Sequence, residues 1–143
     1  MYNEINTQCL SDSVLGKNRL KEIAILPDSA IRFIFFGGMI VVWECYGDCC
    51  SETWIDVISG VEKAIGKFVT GVVFLDMPEK DDGKNRQEVD LFYGIRLYLD
   101  YSDDYLQIEF RNSSNGFYGG TMEVSHGGYP SHGWIVLKSD YQS

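Results

Sequence analysis

Beginning at Val89 the chain alternates without a break. Val89, Leu91, Tyr93, Ile95, Leu97 and Leu99 share one face of an extended segment, and Asp90, Phe92, Arg96, Tyr98 and Asp100 share the other. A sustained period of two marks a strand with one buried face, so any fold for this chain is built around a long β-strand. A second pattern adds to the β bias. The runs Ile31-Arg32-Phe33-Ile34-Phe35-Phe36 and Met39-Ile40-Val41-Val42-Trp43 flank Gly37-Gly38. Two β-rich runs around a two-residue glycine turn predict a hairpin.

The remaining segments are read around these two. Residues 1–16 show no sustained period and predict an irregular arm or a short edge element. Residues 19–26 predict a strand closed by the turn pair Pro27-Asp28. Further on, Trp54, Ile58, Val61 and Ile65 recur at helical spacing, with Ile55 and Ala64 widening the stripe. Glu52 and Asp56 fall near the first turn of such a helix, Lys63 near the last, and Gly66 just beyond, as the macrodipole and a C-terminal stop would have it. Asp48, Ser51 or Thr53 would be its N-cap. Residues 68–75 predict a strand, and the charged stretch 79–88 (EKDDGKNRQE) a mobile loop. After the long alternating strand come a strand bearing Leu106, Ile108 and Phe110, a turn at Asn115-Gly116, and strands over 121–125 and 134–138. The expected fold is α+β: about eight mainly antiparallel strands, in hairpins and a meander, packed on one principal helix over about 52–65. One helix cannot supply parallel crossovers, and no internal repeat or boundary divides residues 1–143 into more than one domain.

Composition then limits the function classes. Hydrophobic residues at 45% and aromatics at 14% belong to a chain with a packed core. The longest apolar run is broken by Arg32 and by Gly37-Gly38, too soon to cross a bilayer as a helix. Residues 1–7 lack a basic stretch followed by an apolar one, which predicts a cytoplasmic protein. A net charge of −9 opposes direct nucleic-acid or anionic-membrane binding. It suits a basic protein surface as partner, or simply keeps the chain soluble. The four cysteines, Cys9, Cys45, Cys49 and Cys50, read as thiols, since adjacent Cys49 and Cys50 would close only a strained ring.

Three constellations carry possible chemistry. Cys45-Tyr46-Gly47-Asp48-Cys49-Cys50-Ser51 offers thiols and a carboxylate, with His126 or His132 as further metal donors or as the base for a cysteine nucleophile. The spacing Cys-x₃-Cys-Cys matches no standard zinc site, so buried packing of Cys49 and Cys50 stands beside the metal and enzyme readings. Glu44, Asp48, Glu52 and Asp56 surround this stretch without a Lys or Arg, which disfavours a phosphate there. The segment from Arg111 to Gly120 joins Arg111, Asn112, Ser114, Asn115, Phe117 and Tyr118, residue types suited to partner contacts. Turn chemistry at Asn115-Gly116 explains part of it equally well. The acidic run, with Asp81 and Asp82 at its centre, reads either as a solvated loop or as a face that occupies a basic groove. No complete catalytic or cofactor signature is present, and no cofactor is expected.

The stretch Asp48-Cys49-Cys50-Ser51 with Ile55-Asp56, the later Gly60-x-Glu62-x-x-Ile65-Gly66, and Ser114-Asn115-Gly116-Phe117-Tyr118 resemble motifs of small phage and bacterial proteins. That family is described only as a domain of unknown function, and the resemblance spans about residues 15–124. It implies an accessory role in a phage or mobile element, and a non-enzymatic inhibitor of a bacterial defence system is the expected function. The partner would be a defence protein or its small nucleotide signal, and a homo-oligomer is also open. The alternative is a small metal- or cysteine-dependent enzyme centred on Cys45, Asp48, Cys49 and Cys50.

Overall fold

Strand pairing absorbs nearly every segment with period-two character, and one segment that lacked it. The computed structural model describes residues 4–48, 50–116, 118–127 and 131–140. Within them the chain runs α1 (Glu4–Val14), β1 (Leu20–Leu26), β2 (Ala30–Phe35), β3 (Ile40–Gly47), β4 (Glu52–Ser59), α2 (Val61–Ala64), β5 (Val69–Asp76), β6 (Val89–Leu99), β7 (Tyr105–Ser114), β8 (Gly120–Val124) and β9 (Ile135–Ser139). One sheet has the order β8-β3-β2-β1-β9 and the other β4-β7-β6-β5. Every pairing is antiparallel. The expected glycine hairpin joins β2 to β3, with Gly37 at φ 93° and Gly38 at φ 98°. Both values suit glycine and cost other residues dearly.

The two sheets share one core. Ile23, Phe33, Trp43 and Met122 come from the first sheet, Ile95, Leu97, Ile108 and Phe110 from the second, and Leu10 and Val14 from α1. Burying each of the larger side chains contributes about 1.5–3 kcal/mol. Trp43 is fully enclosed, and its indole Nε1 donates to Ser13 Oγ at 2.8 Å, tying the helix to the sheet beneath it.

Two expectations are overturned. The principal helix over 52–65 does not exist: residues 52–59 are strand β4, and only the single turn Val61–Ala64 is helical. The reason lies in a β-bulge, a register shift between Ile55 and Val57 that leaves Asp56 as the extra residue. Ile55 lies opposite Phe110 and Ile58 opposite Ile108, both facing the core. The bulge thus puts i and i+3 on one face and imitates a helical period. The expected N-cap at Asp48, Ser51 or Thr53 is instead a tight turn, with Ser51 N–H and Oγ both donating to the Asp48 carbonyl (3.0 and 2.7 Å).

From Glu4 onward the expected irregular arm is overturned as well. Glu4–Val14 form α1, whose buried side chains among the described residues are Leu10 and Val14 and which stops before Gly16 at φ 72°. Among the described residues no helix is long and apolar enough to cross a membrane.

Candidate functional site

Arg111 sits at the centre of the four-stranded sheet, in register with Trp54 of β4 on one side and Phe92 of β6 on the other. It belongs to the face of β7 that points away from the shared core, with Glu109 and Ser113. Its guanidinium lies 4.7 Å from the Phe92 ring centre and 5.6 Å from that of Trp54. Despite facing outward, its side chain is 0% exposed. What covers it is the acidic stretch between β5 and β6, which lies across the sheet. A turn-rich binding loop from Arg111 onward is therefore corrected to a central strand as far as Ser114.

The attachment of this stretch can be followed residue by residue. Asp82 accepts a forked pair from Arg111, at 2.6 Å from Nη2 and 3.3 Å from Nη1. Asp90 of β6 accepts from Nη1 at 2.9 Å, and Asp56 of the bulge from Nη2 at 3.0 Å. Lys80 reaches Asp56 at 3.3 Å and Glu109 at 3.4 Å. Ser113 Oγ donates to Asp90 and accepts the backbone N–H groups of Arg86 (3.1 Å) and Gln87 (2.8 Å). Arg86 lays its guanidinium 3.9 Å from the Trp54 ring centre and reaches Asp28 at 3.4 Å. Arg111 Nε is buried and has no partner.

Forked Arg–carboxylate pairs are stronger than neutral hydrogen bonds and fix orientation as well as distance. The hydrogen bond to Arg111 is the main cause that holds the Asp82 carboxyl at about 2. Reciprocally, Asp82 first, then Asp90 and Asp56, raise the Arg111 guanidinium above its ordinary value against the opposing effect of burial. For Lys80, burial works against the charge, yet hydrogen bonds to Asp56 and Glu109 outweigh it and the ammonium is raised.

The other expected residues divide between places. Asn112 and Ser114 lie on the opposite face of β7. Asn112 Nδ2 donates to Thr53 Oγ1 at 2.9 Å, and its buried Oδ1 is unpartnered. Ser114 Oγ donates to the Tyr118 carbonyl at 3.1 Å and accepts from Gly116 N–H at 2.9 Å, closing the turn after β7. Asn115 is exposed in that turn and Tyr118 half-buried, while Phe117 lies outside the described residues. Asp81 is exposed beside Asp82. Hence Arg111 and Asp82 are brought together, and Asn112, Ser114, Asn115 and Tyr118 are not part of their cluster.

The sequence reading missed the partners Trp54, Asp56, Lys80, Asp90, Phe92, Glu109 and Ser113. One signal was available: an arginine following Phe110 in an alternating strand must share the outer face with Glu109, where only a cover of carboxylates would bury it.

The cysteine stretch is arranged differently. Cys45 lies on β3 opposite Met122, Asp48 exchanges contacts with Gly119 (N–H to Oδ2 at 3.3 Å), and Cys50 is exposed at φ 69°. Cys49 lies outside the described residues. Burial first, then the Asp28 and Glu44 carboxylates, push the Cys45 thiol up to about 12. Among the described residues, including exposed His126 and His132, no group of three or more His, Cys, Asp or Glu side chains is placed to hold a metal ion. Since the thiolate is the reactive species, iodoacetamide at about pH 8 should modify exposed Cys9 and Cys50 in the folded protein and spare Cys45. Peptide mass mapping before and after unfolding checks this, and early labelling of Cys45 would contradict the burial.

Comparison with family models places residues 12–124 in a domain of unknown function, DUF7448. The chain belongs to this family. The DUF7448 match begins within α1 and ends with β8, so it contains the whole Arg111 cluster and leaves out β9. It covers nearly the span over which kinship was expected from the sequence. Comparison with curated proteins and with solved structures finds no match.

Proposed function

We propose that this DUF7448 protein is a non-catalytic binding protein that offers its acidic stretch between β5 and β6, in a fixed shape, to a basic surface on another protein. The observation that carries this reading is the Asp82–Arg111 fork. A stretch of this composition left free would lose conformational entropy on binding, whereas one already anchored loses little. Glu79, Asp81 and Glu88 are exposed along it and supply the charge that would meet the partner. A nucleotide signal has less support as ligand, because the Arg111 fork is already filled by three carboxylates. The alternative enzyme at Cys45, Asp48, Cys49 and Cys50 has less support too, since the Cys45 thiol is far from ionising at neutral pH. The likeness to small phage proteins is what suggests a bacterial defence protein as the target.

The test is crosslinking in bacterial extract with mass-spectrometric identification, using the wild type and the double variant Glu79→Lys, Asp81→Lys. A partner held through this surface is rich in exposed Lys or Arg, is released as salt rises, and is lost by the variant. Equal capture by both proteins would remove the loop from the interface.

A further inference from the structure

On the open side of the sandwich, where β4 parts from β1 and β9, lies a cleft of about 330 Å³. Its walls are aliphatic: Ile25, Ile55, Ile58, Val61 and Leu137. Two carboxylates, Asp28 and Asp56, line it as well. A mostly apolar cavity of this size with a few placed polar groups is the usual form of a small-molecule site.

The charge in this cleft is not exhausted by the protein's own cations. Asp56 is nine-tenths buried, and both of its donors, Arg111 and Lys80, bind Oδ2. Among the described residues no hydrogen bond reaches Oδ1. Asp28 is held with its backbone at φ 67°, its carbonyl accepting from Ile55 N–H at 3.0 Å, so its position at the cleft is set by the neighbouring strand. Its side chain is 62% exposed and, among the described residues, pairs with Arg86 alone, at 3.4 Å. Across the connected network, the carboxylates of Asp28, Glu52, Asp56, Asp82, Asp90 and Glu109 outnumber the cations Lys80, Arg86 and Arg111. A cationic head at this point completes the network, and an anionic head adds to the surplus.

We infer that this cleft binds a small amphipathic amine, its ammonium group between Asp28 and Asp56 and its aliphatic body against the isoleucines. The contact surface proposed above consists of other side chains, Glu79, Asp81 and Glu88, while Asp28 and Asp56 belong to the network that anchors that stretch.

Hexylamine, 1-hexanol and hexanoate serve as probes of equal length and different charge. The readout is the methyl resonances of Ile25, Ile55 and Ile58 in isoleucine-labelled protein. Hexylamine should shift these methyls saturably, hexanol should bind about tenfold more weakly for want of the charge-assisted bond, and hexanoate should not bind. Asp28→Asn, a substitution suited to a left-handed backbone, should weaken hexylamine about fivefold and leave hexanol unchanged. Val61→Phe should fill the cleft and abolish binding of both. Unmoved methyls, or equal shifts with hexanoate, would overturn the assignment. So would saturable binding of a Leu-Lys-Leu peptide when free hexylamine does not bind, because the occupant would then be a protein side chain.

Discussion

Replacing Arg111 by methionine should lower folding stability by about 3–5 kcal/mol, the usual cost of removing one partner from a buried ion pair. The side chain is fully enclosed, and three carboxylates converge on it. Without the guanidinium, Asp56, Asp82 and Asp90 face one another, and Asp56 and Asp90 are largely shielded from water. Methionine keeps most of the volume against Trp54 and Phe92, so the loss reports charge and not packing. Urea unfolding at neutral pH measures it, and a loss below about 1 kcal/mol, the worth of an exposed pair, would show that the cluster is solvated. The acid limb provides a second reading. Asp82 has a folded value of about 2, below an unfolded value of about 3.9, so its contribution is present above the higher figure and is lost as pH falls toward the lower. The wild type should therefore lose stability between about pH 4 and pH 2, while Arg111→Met, which has no such pair to lose, should narrow the gap. Parallel acid limbs for the two proteins would contradict the Asp82–Arg111 pairing.

The same cluster explains what could be read from the sequence and what could not. Strand β6 was legible because its alternation is uninterrupted, and Tyr93, Ile95, Leu97 and Leu99 enter the core as the pattern requires. Its first apolar residues, Val89 and Leu91, remain more than a third exposed, since they lie opposite polar Ser114 and Asn112. The hairpin at Gly37-Gly38 was legible for a local reason, two adjacent positive φ values. Helix α1 was not, because its buried residues Leu10 and Val14 are separated by the polar run Ser11-Asp12-Ser13 and no sustained apolar period extends from them. Strand β4 was misread because the bulge at Asp56 shifts the pleat and places Ile55 and Ile58 together. Arg111 was seen as a contact residue, but its role depends on Asp56, Asp82 and Asp90 arriving from three other segments. Antiparallel pairing of β4, β7 and β6 brings two of them there, and the crossing of 77–88 brings the third. None of those distances is written in local sequence.

Where β4 ends is decided by Gly60, and Gly60→Ala is expected to cost about 2–5 kcal/mol. Two terms add. At φ 83° the backbone is left-handed, which costs an L side chain about 1–2 kcal/mol. In addition, a Cβ at this position would meet the carbonyl oxygen of Tyr105, at the start of β7, well inside van der Waals contact. That neighbour is backbone in a central strand, so it cannot rotate aside, and overpacking of this kind adds about 1–3 kcal/mol. Gly66, at the other end of α2, separates the terms. It has nearly the same φ, 84°, but nothing within 4 Å of the added carbon. Gly66→Ala should therefore cost only the conformational part, about 1–2 kcal/mol. Urea unfolding of the two variants side by side gives the difference directly. Equal losses would mean that β7 does not approach Gly60 closely, and that the turn out of β4 is held by the glycine's conformation alone.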